Sequence, residues 1–230
     1  MDNIIDYPLS LYHPISELEK KHKLIKLKNG LLCLLISDPS EKSASCALSV
    51  CSGSFNDPSN ALGLAHLCEH MILAGGSKKY GHPLAFHEEL SRNNGIINAY
   101  TSGEQTVFYF NMPNANMLRS TDNYTEIAPY EKLLEMFSSY FEDPLFKNTI
   151  ITKEINAINN EHFGNMANNG RILFHATRLL ANETHPFSRC ATGNINTLRN
   201  LANLEKINLQ SELKKYFEEN YHASNNMTLC

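Results

Sequence analysis

The sequence lacks the features that mark membrane and nucleic-acid-binding proteins. Its longest aliphatic run, Leu31–Ile36 with Cys33 inside it, is far too short to cross a bilayer, so we expect no transmembrane segment. Lysine and arginine number 20 against 24 acidic residues, for a net charge of −4, and they form no basic stripe. We therefore expect no nucleic-acid partner.

Secretion signals and paired cysteines are also missing. Met1–Ser10 has neither a basic start nor an apolar stretch, so it does not read as a secretory signal. The six cysteines include no Cys-x-x-Cys pair. These absences predict a cytoplasmic protein whose thiols are reduced and structural.

What is present is an ordinary globular composition, with 42% hydrophobic and 19% charged residues in a chain of 230. Such a chain is long enough to bury a substantial core. We find no repeat, low-complexity tract or interdomain linker, and therefore treat residues 1–230 as one domain.

The hydrophobic pattern predicts an α+β fold, a mixed β-sheet with helices packed on it. Asn29-Gly30 predicts a hairpin turn, and Gly75-Gly76 predicts the end of a helix. Pro113–Pro129 is polar and predicts a surface insertion. The predicted strands are 22–28, 31–37, 44–51, 96–101 and 106–112, and the predicted helices are 62–74, 83–92, 130–180 with a break at 143–144, and 209–221.

The most informative segment is His66-Leu67-Cys68-Glu69-His70. On a helix over Leu62–Ala74, the two histidines lie at positions i and i+4 of one face, where both can bind one ion. Glu69 points to the same place. This is the inverted form of the His-Glu-x-x-His helix of zinc proteases, in which zinc activates a water and the carboxylate takes its proton. An ordinary surface pair of histidines is the alternative at this point.

A catalytic zinc site needs a third protein ligand and leaves its fourth position to water. The segment Thr149–Gly164 is the best source, because Glu154 and Glu161 lie nearly two helical turns apart and share a face. One carboxylate could bind the metal while the other orients a ligand histidine or the water. Solvated surface acids are the alternative for this pair.

The end of the sequence gives a further expectation. Asn226–Cys230 reads as the opening of an apolar strand, with no turn or partner strand after it. We expect that the chain is the N-terminal portion of a longer polypeptide, or that another chain completes the sheet.

The sequence resembles the insulin-degrading-enzyme (insulysin, M16) family of zinc metallopeptidases over nearly its whole length. Four ordered blocks carry the resemblance: HLCEHMILAGGSKKY at 66–80, NAYTSGEQTVFYF at 98–110, KEINAINNEHFGN at 153–165 and HPFSRCATGN at 185–194. Within the family, the likeness is to fungal members that mature the a-type mating pheromone. The resemblance implies the fold of an M16 N-terminal catalytic domain, in a clamshell protein whose second half closes over the peptide.

The resemblance also implies roles for individual residues. His66, His70 and Glu161 would bind one Zn²⁺ per chain, Glu69 would be the general base, and Glu154 would be the supporting acid of the third ligand, Glu161. The separation of His70 and Glu161 is longer than usual for the family, and the polar insertion would absorb the excess.

A substrate site is implied at Asn98, Ala99, Tyr100 and Thr101, where an extended peptide would add to the sheet as one more strand. Ordinary core sheet is the alternative for this hairpin. The HPFSRCATGN loop at 185–194 has no chemical role that the sequence assigns.

Together these expectations describe a zinc metalloendopeptidase that hydrolyses extended peptides, with maturation of a peptide pheromone as the specific role. Its partners would be a peptide substrate and a C-terminal half or second subunit, without which cleavage would be slow or absent. One alternative is a noncatalytic peptide-binding or scaffolding domain derived from such a protease, against which the intact Glu69 argues. Another is a structural zinc domain, but such sites generally use four ligands rich in cysteine.

Overall fold

A computed structural model of the chain describes residues 5–7, 19–113 and 128–230 and shows one mixed sheet of seven strands. The strands are β1 Ile5–Tyr7, β2 Lys21–Lys26, β3 Leu32–Ser37, β4 Ser43–Val50, β5 Ile96–Thr101, β6 Thr106–Pro113 and β7 Met227–Leu229. Their order across the sheet is β1-β2-β3-β7-β4-β6-β5. The β3–β7 pair is parallel and the other neighbouring pairs are antiparallel. The predicted α+β class is confirmed.

A strand, β7, opens at Met227 as the sequence predicts, and it pairs with two strands of this chain. Thr228 pairs with Leu32 of β3 on one side and with Ser49 of β4 on the other. Local patterns do not reveal such pairing, because a parallel partner needs a crossover connection and is therefore distant in sequence.

Seven α-helices accompany the sheet in the described part of the chain. They are α1 Leu64–Ala74, α2 Ala85–Arg92, α3 Pro129–Glu142, α4 Asn148–Met166, α5 Asn169–Leu179, α6 Leu201–Leu204 and α7 Leu209–Asn220. The segment predicted as helical from 130 to 180 thus forms three helices. Helix α2 begins two residues after Pro83 because Leu84 has a left-handed φ of 64°. Most of the predicted surface insertion, residues 114–127, lies outside the described residues.

Helix α1 lies in the centre of the core between the sheet and helices α3, α4 and α7. Its Leu64, Leu67 and Met71 are almost completely buried, as are Phe108 and Phe110 on the facing side of β6. Each such side chain contributes about 1.5–3 kcal/mol on burial. The residues on the remaining face of α1 therefore project from a well-anchored helix.

All six cysteines are free, and Cys33, Cys46 and Cys68 are buried. No helix in residues 19–113 and 128–230 is both long and apolar enough to span a bilayer.

Candidate metal centre

The metal site begins with the start of α1. Gly63, directly before the helix, has a φ of 95°, a conformation that glycine adopts without strain. The buried carboxylate of Asp57 accepts two hydrogen bonds of 2.7 Å from the backbone N–H groups of Gly63 and Ala65. Asp57 therefore satisfies donors that the first turn would otherwise leave unpaired.

One turn further on, His66 and His70 face helix α4 across a short gap. The distance from His66 Nε2 to Glu161 Oε2 is 3.5 Å, and that from His70 Nε2 to Glu161 Oε1 is also 3.5 Å. One ligand atom from each of these three residues lies within 4.8 Å of the others. The structure thus brings together the three residues predicted to bind the metal.

These distances suit a zinc ion. Bonds of about 2.0–2.2 Å in tetrahedral geometry place ligand atoms about 3.3–3.5 Å apart, and the two nitrogen–oxygen distances have this size. The histidine side chains are only 15% and 16% exposed, which argues against an ordinary surface pair. Among the described residues the cluster contains no cysteine, which argues against a closed structural site.

Each histidine is oriented by a different partner behind it. Nδ1 of His66 lies 2.9 Å from the main-chain oxygen of Thr192, and Nδ1 of His70 lies 2.9 Å from Glu154 Oε2. A carbonyl and a carboxylate only accept, so each Nδ1 carries the donated hydrogen and each Nε2 is left to bind the ion. Such outer contacts are typical of histidines that bind metals.

The contact with Thr192 gives the HPFSRCATGN loop a role that the sequence did not assign. This loop reaches α1 because Gly193, with a φ of 73°, packs against Gly63. A β-carbon at either glycine would lie within 3 Å of the other's Cα. The pair of glycines in these two segments is the signal that could have predicted their close approach.

The two histidines differ in their affinity for protons. Burial and the neighbouring His70 lower the pKa of His66. Burial also lowers the pKa of His70, but the hydrogen bonds to Glu154 and Glu161 outweigh it and raise this pKa to about 9. Glu161, in turn, has a lowered pKa because of its contact with His70.

Glu69 lies on the same side of α1 and is 6% exposed. Its Oε2 accepts a hydrogen bond of 2.5 Å from the hydroxyl of Thr101, and burial raises the pKa of its carboxyl despite this bond. Glu69 also lines the cavity beside the two histidines. A buried carboxylate that is held at one oxygen next to the candidate metal ligands is suited to accept a proton.

The predicted substrate residues form the end of β5. This strand pairs only with β6 in the described sheet, so its other side is an edge beside the metal cluster. Asn98, Ala99, Tyr100 and Thr101 all line the same cavity as His66. The side chain of Thr101 contacts Glu69, which gives it a second role besides that of an edge residue.

The cavity has a volume of about 890 Å³ and extends from the metal cluster to helix α5. Its far wall carries Arg171, Phe174, His175 and Arg178 of α5, together with Cys190 of the loop. None of these residues was predicted as part of the site. The cavity is large enough for several residues of a peptide.

The profile for Insulinase (Peptidase family M16) matches residues 32–183, which include every residue of the cluster. The chain belongs to peptidase family M16. Its M16 domain resembles the crystal structure of pitrilysin, with a TM-score of 0.85 and 28% identity over 99% of this chain and 22% of that chain.

Relatives with similar sequences are longer than this M16 chain. Putative protease AXL1 of Saccharomyces cerevisiae is 50% identical over 99% of this chain and 18% of its own length. Human insulin-degrading enzyme is 37% identical over 92% of this chain, and the A-factor-processing enzyme of S. cerevisiae is 35% identical over 92%. The chain spans about a fifth of the length of each of these M16 relatives.

Proposed function

We propose that this chain is the N-terminal catalytic domain of a zinc metalloendopeptidase, in which His66, His70 and Glu161 bind one zinc ion. The observation that carries the proposal is the geometry around Glu161. Its two carboxylate oxygens lie 3.5 Å from the two Nε2 atoms, while both Nδ1 atoms are occupied by outer partners. Three donors therefore converge with the chemistry and spacing that zinc requires.

The reaction that this arrangement supports is hydrolysis of a peptide bond. Bound zinc would supply Lewis acidity and lower the pKa of a water molecule in the site. Glu69 would accept the proton of that water at Oε1, because Thr101 occupies Oε2. Burying a carboxylate is costly and binding alone does not require a base, so Glu69 favours a catalytic over a scaffolding role.

Substrates would be extended peptides that add to the edge of β5. The free edge beside Asn98–Thr101 supports this, since main-chain hydrogen bonds accept many sequences. Maturation of a peptide pheromone is the specific role we propose, and the similarity to the A-factor-processing enzyme supports it.

Two further proposals concern the whole protein. We infer that residues 1–230 act together with a C-terminal half or second subunit, which encloses the peptide, and the greater length of the relatives supports this. We also propose a cytoplasmic location, which cell fractionation tests directly.

The decisive experiment replaces Glu69 by glutamine in the full-length gene product. The amide does not accept the proton, so peptide turnover should fall by about 10²–10⁴-fold while zinc content equals that of the parent. Glu205→Gln, at an exposed position of the turn after α6, is the matched control and should cleave normally. Comparable turnover by Glu69→Gln and the parent would show that Glu69 is not the base.

A further inference from the structure

The cavity wall at helix α5 contains a buried arginine that forms no ion pair with a described carboxylate. Arg178 is 6% exposed and lines the cavity. Its Nε donates to the main-chain oxygen of Arg189 at 3.1 Å, but its Nη2 is buried without a hydrogen-bond partner. No carboxylate in residues 19–113 and 128–230 forms an ion pair with it.

The position of this guanidinium is fixed by aromatic rings. The central carbon of Arg178 lies 4.9 Å from the ring centre of Phe187 and 5.6 Å from that of Phe174. Cation–π contacts of this kind stabilise a cation and restrict its rotation. They do not satisfy the remaining N–H donors, and an unpaired buried charge is costly.

Two more basic side chains lie on the same side of α5. Arg171 and His175 precede Arg178 by seven and three residues, so the three share a helical face, and all three line the cavity. The acidic groups of the cavity, Glu69, Glu154 and Glu161, lie at the metal cluster instead. The cavity therefore has one end built for the metal and another end that is basic.

We propose that this basic wall, Arg171, His175 and Arg178, binds a carboxylate of the peptide substrate, with Arg178 as its principal contact. The inference rests on the proposed peptidase function and adds a substrate class to it. Guanidinium groups pair well with carboxylates, and Arg178 lines the cavity together with Arg171. The carboxylate is either an aspartate or glutamate side chain near the cleaved bond or the C-terminus of the peptide.

The test compares matched peptides on the full-length gene product. One set exchanges glutamate for glutamine at successive positions around the cleaved bond, and another carries a free or an amidated C-terminus. For one position, the parent should prefer the carboxylate peptide about 10- to 100-fold in kcat/KM, the range expected for a hydrogen-bonded charge. The set that shows the preference identifies the source of the carboxylate.

Variants of the basic wall then test whether it causes the preference for the carboxylate peptide. Arg178→Met should remove the preference for the carboxylate peptide, and Arg178→Lys should retain part of it. Arg171→Met, at an exposed position, should reduce it less and remains informative if Arg178→Met does not fold. The matched control is Arg199→Met, because Arg199 contacts Asn156 outside this cavity, and it should keep the full preference.

A binding measurement separates this inference from the proposed function. In the Glu69→Gln background, the carboxylate peptide should bind more tightly than its neutral counterpart, and Arg178→Met should abolish the difference. Tighter binding with no cleavage of any peptide by the parent would overturn the proposed function and support the carboxylate site. Equal affinities, or a preference that survives Arg178→Met, would overturn the carboxylate site.

Discussion

His66 and His70 occupy the same face of one helix, yet different parts of the chain orient them. A main-chain carbonyl from the loop at 185–194 contacts His66, while the Glu154 carboxylate of α4 contacts His70. The pKa of His66 is lowered by burial and by His70, whereas the carboxylate contacts raise that of His70 to about 9 against the effect of burial. The pKa values of two histidines on one helix face are thus shifted in opposite directions by their different partners.

The difference shows how the site divides its tasks. The carboxylate increases the basicity of His70 and helps to offset the charge of a bound cation. The carbonyl at Thr192 orients His66 without adding a charge, and it depends on the backbone path of the loop. The α4 side should therefore be sensitive to changes of charge, and the loop side to changes of shape.

The largest effect is expected on the α4 side. Glu154→Gln retains a hydrogen-bond acceptor but removes the charge behind His70, so zinc affinity should fall by about 10- to 100-fold. Thr192→Ala is the control on the other side, since only its main-chain oxygen contacts His66. Competition with a chromogenic chelator measures the zinc affinity of both variants. An equal loss of affinity in the two would contradict the different roles of the α4 side and the loop side.

Asp57, beside the loop, gives a pH-dependent prediction. Burial raises the pKa of this carboxyl to about 7 despite the hydrogen bonds from Ala65 and Gly63. Because the pKa is higher in the folded than in the unfolded state, the protonated Asp57 carboxyl stabilises the fold. This contribution to the free energy of unfolding is complete below about pH 4 and is lost as the pH rises through about 7. The stability of the parent relative to Asp57→Asn should therefore fall between pH 5 and pH 8, by on the order of 2 kcal/mol.

Urea unfolding of the two proteins at both pH values measures this effect. The comparison with the variant removes the contributions of all other titrating groups. A stability difference that is constant from pH 5 to pH 8, or that grows with pH, would show that the Asp57 carboxylate stays ionised over this range.

The shape of the loop side is tested at Gly193. Its φ of 73° is unfavourable for other residues, and a β-carbon would lie 2.9 Å from the Cα of Gly63. Gly193→Ala should destabilise the protein by about 1–2 kcal/mol. The control is Gly164→Ala, which meets no atom within 4 Å in helix α4 and should stabilise the fold slightly. The midpoints of thermal unfolding of the two variants test this prediction. An unchanged midpoint for Gly193→Ala would contradict the close packing of Gly193 against Gly63.

The smallest effect is expected on catalysis from a change at Thr101, whose hydroxyl donates a hydrogen bond to Glu69. Thr101→Val removes the hydroxyl that contacts Glu69 and should lower kcat about three- to tenfold with little change in KM. Thr101→Ser restores the hydroxyl and should recover most of the rate. If the serine variant is as slow as the valine variant, the hydrogen bond is not what positions Glu69.

The parts of the site that were predictable from the sequence depend on side chains at helical spacing. Periodicity places His66, Glu69, His70, Glu154 and Glu161 on helix faces, and the resemblance to the family implied which role each of them has. The contact from Thr192 could not be predicted, since every residue has a main-chain carbonyl and its direction depends on the fold. The basic wall of α5 was also missed, because exposed and buried arginines look the same in a sequence. The position of β5 at an edge follows from the order of strands, which is a property of the whole sheet.

The central claim is that α1 and α4 together bind one zinc ion, and the most direct measurement is the zinc content per chain after mild dialysis. Mass spectrometry should find one zinc in the parent and none in the His66→Ala, His70→Ala double variant, with the fold of the variant verified by circular dichroism. Full retention of zinc by the folded double variant would contradict the account.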